Sequence, residues 1–235
     1  MKKKILGIIP ARGGSKGVKR KNIRQVGGKP LIYWSIKGAK ESELLSSWLV
    51  STDDDEIKGV AQELQANVMI RPESLAADKT PMIEVLQYIC KTLEDSKDFY
   101  DYICLLQPTA PMRTSKCIDE AISTIVNNNH DSLVSLYKVD DCHPSRMYKI
   151  EENSLKPIFK EPKGSLRQDL EDVFHRNGAI YICTRDLLMN EGKLLCNNPI
   201  PFIMTKSESI NIDDEQDLVI ANHLMHMREN ENTDC

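Results

Sequence analysis

The sequence has no Cys-x-x-Cys pair, no low-complexity tract, no internal repeat and no apolar run near the ~18 residues of a membrane span. Its seven cysteines stand scattered at 90, 104, 117, 142, 183, 196 and 235. That spacing argues against a zinc ribbon or a disulfide framework and fits reduced thiols in a cytoplasmic protein. The N-terminus, MKKKILGIIPARGG, imitates a signal peptide. Its apolar run over 5–9 is too short for an h-region, however, and Arg12 and Lys16 follow at once. Acidic residues are also missing locally. Residues 1–40 hold twelve Lys or Arg and no Asp or Glu, whereas the remainder holds nineteen basic and thirty-five acidic residues. A basic segment on a chain of net charge −4 calls for an anion. The segment lacks the interleaved aromatics of a single-strand binder and any recognised DNA-binding motif, so a compact polyphosphate fits it better than nucleic acid.

What is present reads as α/β. At 235 residues the chain suits one domain, or one domain with a sizeable insertion. Such a chain buries roughly 70% of its unfolded surface and needs no staple. A run over 4–9 ending at Pro10 has the form of a buried strand. A Gly- and Lys-rich loop follows, then a helix from near Pro30 with Leu31, Trp34, Ile36 and Ala39 as its apolar positions. Further strands are predicted over 48–50, 68–70, 102–106, 133–137, 178–183 and 202–204. Helices are predicted over 54–65, from Thr80-Pro81 onward, over 115–126 and over 214–227. Thr52 is read as the cap of the first of these, and Thr80 as an N-cap with Pro81 at the first helical position.

Between 140 and 175 the helical rhythm stops, with Pro144, Pro157, Pro162 and Gly164 interrupting it and a hairpin fitting 147–150 and 156–159. Repeated βα units predict a doubly wound, mostly parallel sheet with helices on both faces. The α/β domain then covers 1–139 and 176–235, with 140–175 as an insertion. Ligands of such sheets bind beyond the carboxyl ends of the strands.

The first loop reads Pro10-Ala11-Arg12-Gly13-Gly14-Ser15-Lys16-Gly17 and continues through Lys19, Arg20, Lys21 and Asn22. Glycines let backbone N–H groups approach a phosphate while the cations neutralise it. It is neither a Walker loop nor a dinucleotide fingerprint. A solvated basic turn is the plain alternative. His223 and His226 share a helical face without an accompanying carboxylate, and read as helix surface.

This loop, with Lys21-Asn22 behind it, resembles the signature of the acylneuraminate cytidylyltransferases, the CMP-sialic-acid synthetases. Val50-Ser51-Thr52-Asp53, Arg71-Pro72, Leu75-Ala76-Ala77-Asp78, Leu105 to Arg113, Asn177 to Tyr181 and Ile210 to Asp213 match in the same order. The resemblance implies a Rossmann-like nucleotidyltransferase joining CTP to an acidic nine-carbon sugar, with Mg²⁺ as cofactor and a homodimer built through the insertion. It implies that Arg12, Lys16 and Lys21 hold the triphosphate, with Lys21 near the α-phosphate. Asn22 and Arg71 would place the nucleotide, and the loop from Ala76 to Thr80 would read cytosine. Gln107, Arg167, His175 and Asn177 would meet the sugar, Arg167 through its carboxylate. Asp213 and Asn211 would ligate the metal, Asp213 serving as ligand or as base.

Two positions depart from the family's pattern. Asn211 stands where a second aspartate is usual, and His175 stands where some sialic acid enzymes carry arginine.

Overall fold

The computed structural model describes residues 3–15, 17–159 and 170–233. β1 (Ile5–Pro10) is six consecutive buried residues, the pattern of a strand covered on both faces. β2 (Gln25–Val26) and β3 (Lys29–Pro30) form a small hairpin, and α1 (Leu31–Lys40) starts directly behind Pro30. β4 (Ser47–Thr52) leads to α2 (Asp55–Glu63), and β5 (Val68–Ile70) to α3 (Met82–Asp95). β6 (Tyr102–Leu105), α4 (Ser115–Asn127) and β7 (Ser132–Lys138) continue the alternation. β8 (Tyr148–Glu151) and β9 (Ser154–Pro157) make an isolated hairpin. β10 (Phe174–Thr184), α5 (Arg185–Met189), β11 (Ile200–Ile203) and α6 (Glu215–Thr233) follow.

Seven strands form one sheet in the order β11-β7-β10-β6-β1-β4-β5. β1 pairs in parallel with β4 and β6, β4 with β5, and β11 with β7. β10 alone is antiparallel, set between β6 and β7. From β1 the chain moves outward through β4 and β5, then returns to the other side of β1 at β6. That reversal opens a crevice at the carboxyl ends of β1 and β6.

One apolar layer packs α1, α2 and α4 on one face, with Ile36, Ile57 and Ile118 buried. The opposite layer packs α3 and α5 through Leu86, Ile89 and Leu188. Burial pushes the Cys90 and Cys104 thiols up to about 12, so they sit as inert core groups.

A third, smaller cluster joins Val18, Val26, Leu31, Met112, Ile212, Leu218 and Met225. It ties the basic loop to the segment before α6. At their closest approach, a Cβ on Gly17 would run into the carbonyl oxygen of Asp213, so only glycine lets these backbones meet. α6 begins with a reciprocal cap. Asp214 accepts from the Asp217 N–H at 2.9 Å, and the Asp217 carboxylate accepts from Asp214 and Asp213 N–H at 3.1 and 2.9 Å. Asp213 is thereby held in one backbone pose.

Several local expectations shift. The cap of α2 is Asp54, accepting from Ile57 N–H at 2.9 Å, while Thr52 Oγ1 accepts only from Asp54 N–H. α3 starts at Met82 with Pro81 as its cap residue, and Thr80 makes no capping bond. β10 starts at Phe174, inside the stretch assigned to the insertion. α6 (expected over 214–227) runs from Glu215 to Thr233 and leaves Val219 and Ile220 exposed.

Asp54 does two jobs. Besides capping α2, it takes a two-pronged contact from Arg20 at 2.5 and 3.0 Å, and Arg20 sits at φ 57 in the basic loop. Asp54→Ala is therefore expected to cost about 1–3 kcal/mol in urea unfolding, through the lost cap and the partly exposed pair. The Arg20 guanidinium holds the Asp54 carboxyl below its usual range. Its stabilisation is thus complete above the unfolded value of ~3.9 and lost as pH falls through the lower folded value. In the variant, that part of the acid sensitivity should vanish.

Candidate active site

The crevice at the β1/β6 reversal holds a cleft of about 440 Å³. The loop after β1 brings Arg12, Ser15, Gly17, Lys21 and Asn22 to it, and the ends of β5 and β6 bring Arg71 and Gln107. Ala77, Asp78 and Thr80 close one side, and Asp213 stands at the rim.

The loop is held by its own backbone. Asn22, buried, donates from Nδ2 to the Arg12 carbonyl at 2.9 Å. Arg12 Nη1 lies 3.0 Å from Asp78 Oδ1, joining this loop to the segment between β5 and α3. Lys21 opens a short 3-10 turn, and its Nζ donates to the Ile212 carbonyl and lies 3.5 Å from Asp213 Oδ1.

Arg71 is only 4% exposed. Its Nη2 meets Asp53 Oδ1 at 3.1 Å, and its Nε has no hydrogen-bond partner among the described residues. Arg71 thus sets a buried, incompletely satisfied guanidinium in the cleft wall. Asp53 Oδ1 also faces the Gly13 N–H at 3.4 Å, so Asp53 couples Arg71 to the basic loop.

On the far side, Gln107 follows the end of β6 and packs against Gly178, where a Cβ would lie 2.9 Å from Gln107 Oε1. Gly178 sits at φ 73 in a register shift of β10, a conformation that favours glycine. Below Gln107 lies Arg113, 2% exposed, with no carboxylate paired to it among the described residues. Its Nη1 donates to the carbonyls of Ala179 and Gln107 at 2.6 and 3.2 Å, and its Nη2 to Ser35 Oγ at 2.7 Å. Burial pushes this guanidinium down to about 10, so it keeps its charge at neutral pH.

The structure brings Arg12, Lys21, Asn22, Arg71, Thr80, Gln107 and Asp213 together. Ala76 belongs to the same segment, its N–H spent on the Glu73 carbonyl, while its neighbour Ala77 lines the cleft. Asn177 does not reach the cleft. Its Oδ1 accepts from Ser135 Oγ and Ala179 N–H, and its Nδ2 donates to Ser209 Oγ, which makes it a buried brace of β7 and β10. His175 lies further out on β10, its ring edge-on to Tyr137 at 5.6 Å, and does not line the cleft. Lys16 and Arg167 lie outside the described residues. Asp53, Asp78 and Arg113 end three of the matching motifs, yet the sequence assigns none of them a role. Asp53 was legible in principle as the residue just beyond the carboxyl end of β4.

Magnesium takes oxygen donors, few from protein and several from water or phosphate. The Asp213 carboxylate, 75% exposed at the rim, suits such a role. Asn211 instead turns its Nδ2 onto Asp213 Oδ2 at 2.6 Å, and its Oδ1 faces Gly178. In this arrangement the two side chains pair with one another rather than converge two oxygens. No group of three or more His, Cys, Asp or Glu residues forms a metal cage among the described residues.

A mostly parallel sheet with a basic, glycine-rich loop beyond its first strand defines a Rossmann-like nucleotidyltransferase fold. A solved CMP:2-keto-3-deoxy-manno-octonic acid synthetase complexed with CTP superposes with a TM-score of 0.74 at 18% identity, covering 96% of this chain and 99% of that one. The profile of the cytidylyltransferase family matches residues 6–194, and the chain belongs to that family. The CMP-N,N'-diacetyllegionaminic acid synthase of Legionella pneumophila is 33% identical over 96% of this chain and 98% of its own length. The N-acylneuraminate cytidylyltransferase of Escherichia coli is 30% identical over 94% of this chain, which spans only 52% of that longer protein.

Proposed function

We propose that the chain transfers a cytidylyl group from CTP to an acidic nonulosonate sugar, N-acetylneuraminic acid or a relative, releasing pyrophosphate. The carrying observation is the cleft's division. Arg12, Lys21 and the buried Arg71 gather on the side of the β1 loop, and the uncharged Gln107 faces them from β6. That suits a polyphosphate on one side and a hydroxylated acceptor on the other. Family membership and relatives named for nonulosonate substrates support the same reading.

In this reading the anomeric hydroxyl oxygen at C2 of the sugar attacks the α-phosphorus in line. The new P–O bond forms as the bond to the α–β bridging oxygen breaks, and pyrophosphate leaves with that electron pair. Arg12 and Lys21 offset the charge on the phosphates, Arg71 and the loop through Thr80 fix the nucleotide, and Gln107 orients the acceptor. Asp213 either holds magnesium or takes the proton of the attacking hydroxyl. Magnesium, when bound, supplies further charge neutralisation on the phosphates.

His175 stands where some sialic acid enzymes carry arginine, and it lies outside the cleft, so this position does not itself select N-acetylneuraminic acid. Legionaminic, pseudaminic and ketodeoxynonulosonic acids therefore stand beside N-acetylneuraminic acid. A pyrophosphate-release assay with CTP and a panel of nine-carbon acids tests the proposal. Release with none of them would favour a non-catalytic nucleotide-binding role. Retention of Lys21, Asn22, Gln107 and Asp213 argues against that role.

A homodimer belongs to the same proposal. Ile150 and Leu155, 78% and 66% exposed on the β8–β9 hairpin, leave an apolar surface that a second copy would cover. Light scattering should give twice the chain mass at assay concentrations. A fully active species of single mass would refute it.

A further inference from the structure

We propose that Arg113 is a positioning residue for the acceptor side of the cleft, tying the carbonyls of Gln107 and Ala179 so that the Gln107 amide and the Gly178 backbone keep one spacing. This rests on the assignment of that side to the sugar. Gln107 follows β6 and Gly178 lies in the neighbouring antiparallel β10, and two features bring them together at the rim. One is the absent Cβ of Gly178. The other is the guanidinium underneath, whose Nη1 reaches Ala179 O at 2.6 Å and Gln107 O at 3.2 Å, while Nη2 is anchored on Ser35 of α1 at 2.7 Å.

The chemistry favours this over simple packing. A buried guanidinium without a carboxylate is costly, and an aliphatic side chain would fill the same volume without that penalty. What an aliphatic cannot do is donate to three acceptors on three different elements. Lysine could not substitute either, since its single ammonium lacks the planar fork that sets the angle between Ser35 and the two carbonyls. The Arg113 Nε, without a partner among the described residues, shows that the site is arranged around the two terminal nitrogens rather than around complete satisfaction of the group. Side chains that touch substrate work only as well as the shell that locks them.

The test compares wild type with Arg113→Lys and with Ser35→Ala, the second removing one anchor while leaving the arginine in place. Steady-state kinetics in Arg113→Lys should raise the sugar's KM tenfold or more and leave that of CTP within twofold. Ser35→Ala should move the sugar's KM about threefold in the same direction. Hydrogen exchange of the unliganded chain reads the clamp without any substrate. Amides over 105–110 and 178–181 should exchange about tenfold faster in Arg113→Lys, with those of α2 unchanged. Equal changes in both KM values would mean a purely structural arginine and overturn the proposal, as would unchanged exchange in those two segments. If Arg113→Lys does not fold, Ser35→Ala decides by the same two readouts. A wild type that uses no acidic sugar would sink the functional reading, and the exchange result would still decide the clamp.

Discussion

Lys21→Ala is expected to lower turnover by on the order of 10²–10³, the loss that follows removal of one preorganised electrostatic group. Lys21 is largely buried, and its Nζ is aimed by the Ile212 carbonyl toward the space between the basic loop and Asp213. The Asp213 carboxylate lies 3.5 Å away and is mostly exposed, so it offsets the ammonium only weakly. Much of the positive potential therefore stays available to a ligand. Because charge on the transferring phosphoryl group redistributes as the bond to pyrophosphate breaks, the loss should fall on kcat more than on the KM of CTP. Lys21→Arg should recover only part of it, since the bulkier fork cannot occupy the same narrow position. The fold should survive in both variants, because the side chain contributes no apolar packing to the third cluster. Pyrophosphate-release kinetics measure all of this. Near-normal turnover in Lys21→Ala would remove the residue from the mechanism.

The regular part of the fold was legible because its signals are local. The buried run of β1, the apolar spacing of α1 and the strand–helix alternation through β7 all follow from patterns of a few residues. The antiparallel β10 was not, since a strand's direction depends on where the chain enters the sheet and leaves no mark in its own composition. The α2 cap was misplaced by two residues for a related reason. Thr52 and Asp54 are both good capping residues, and only the extended backbone at Asp54 with the bond to Ile57 decides between them. In the site, the cations of the first loop stood out by composition, and Gln107 by its match to a known motif. Arg113 and Asp53 end two of the matching segments, but nothing local marks their roles, which depend on partners distant in sequence: Ala179 and Ser35 for one, Arg71 and Gly13 for the other. Asn177 shows the converse. It matched a motif, yet its amide is engaged inside the fold on three sides.

The second large effect is expected at Asp213. Asp213→Asn should cut turnover by on the order of 10² or more at millimolar magnesium, because it removes the exposed carboxylate that stands at the rim, where a hard cation would lie beside the phosphates. Asn211 makes the site unusual within its resemblance. Its amide donates to Asp213 Oδ2 at 2.6 Å, so it steadies the carboxylate without adding charge. Asn211→Asp would replace that hydrogen bond by repulsion between two carboxylates in the empty site. A divalent cation relieves that repulsion, so binding in the variant draws on it. The magnesium midpoint for activity should consequently fall, while the metal-free protein loses a little stability from the new like-charge pair. Titrating Mn²⁺ in the presence of CTP, with the free ion read by electron paramagnetic resonance, gives the affinity independently of turnover. It should tighten in Asn211→Asp and weaken in Asp213→Asn. An unchanged midpoint in Asn211→Asp, together with an active Asp213→Asn, would show that neither residue ligates the metal and that the cation is held by the nucleotide alone.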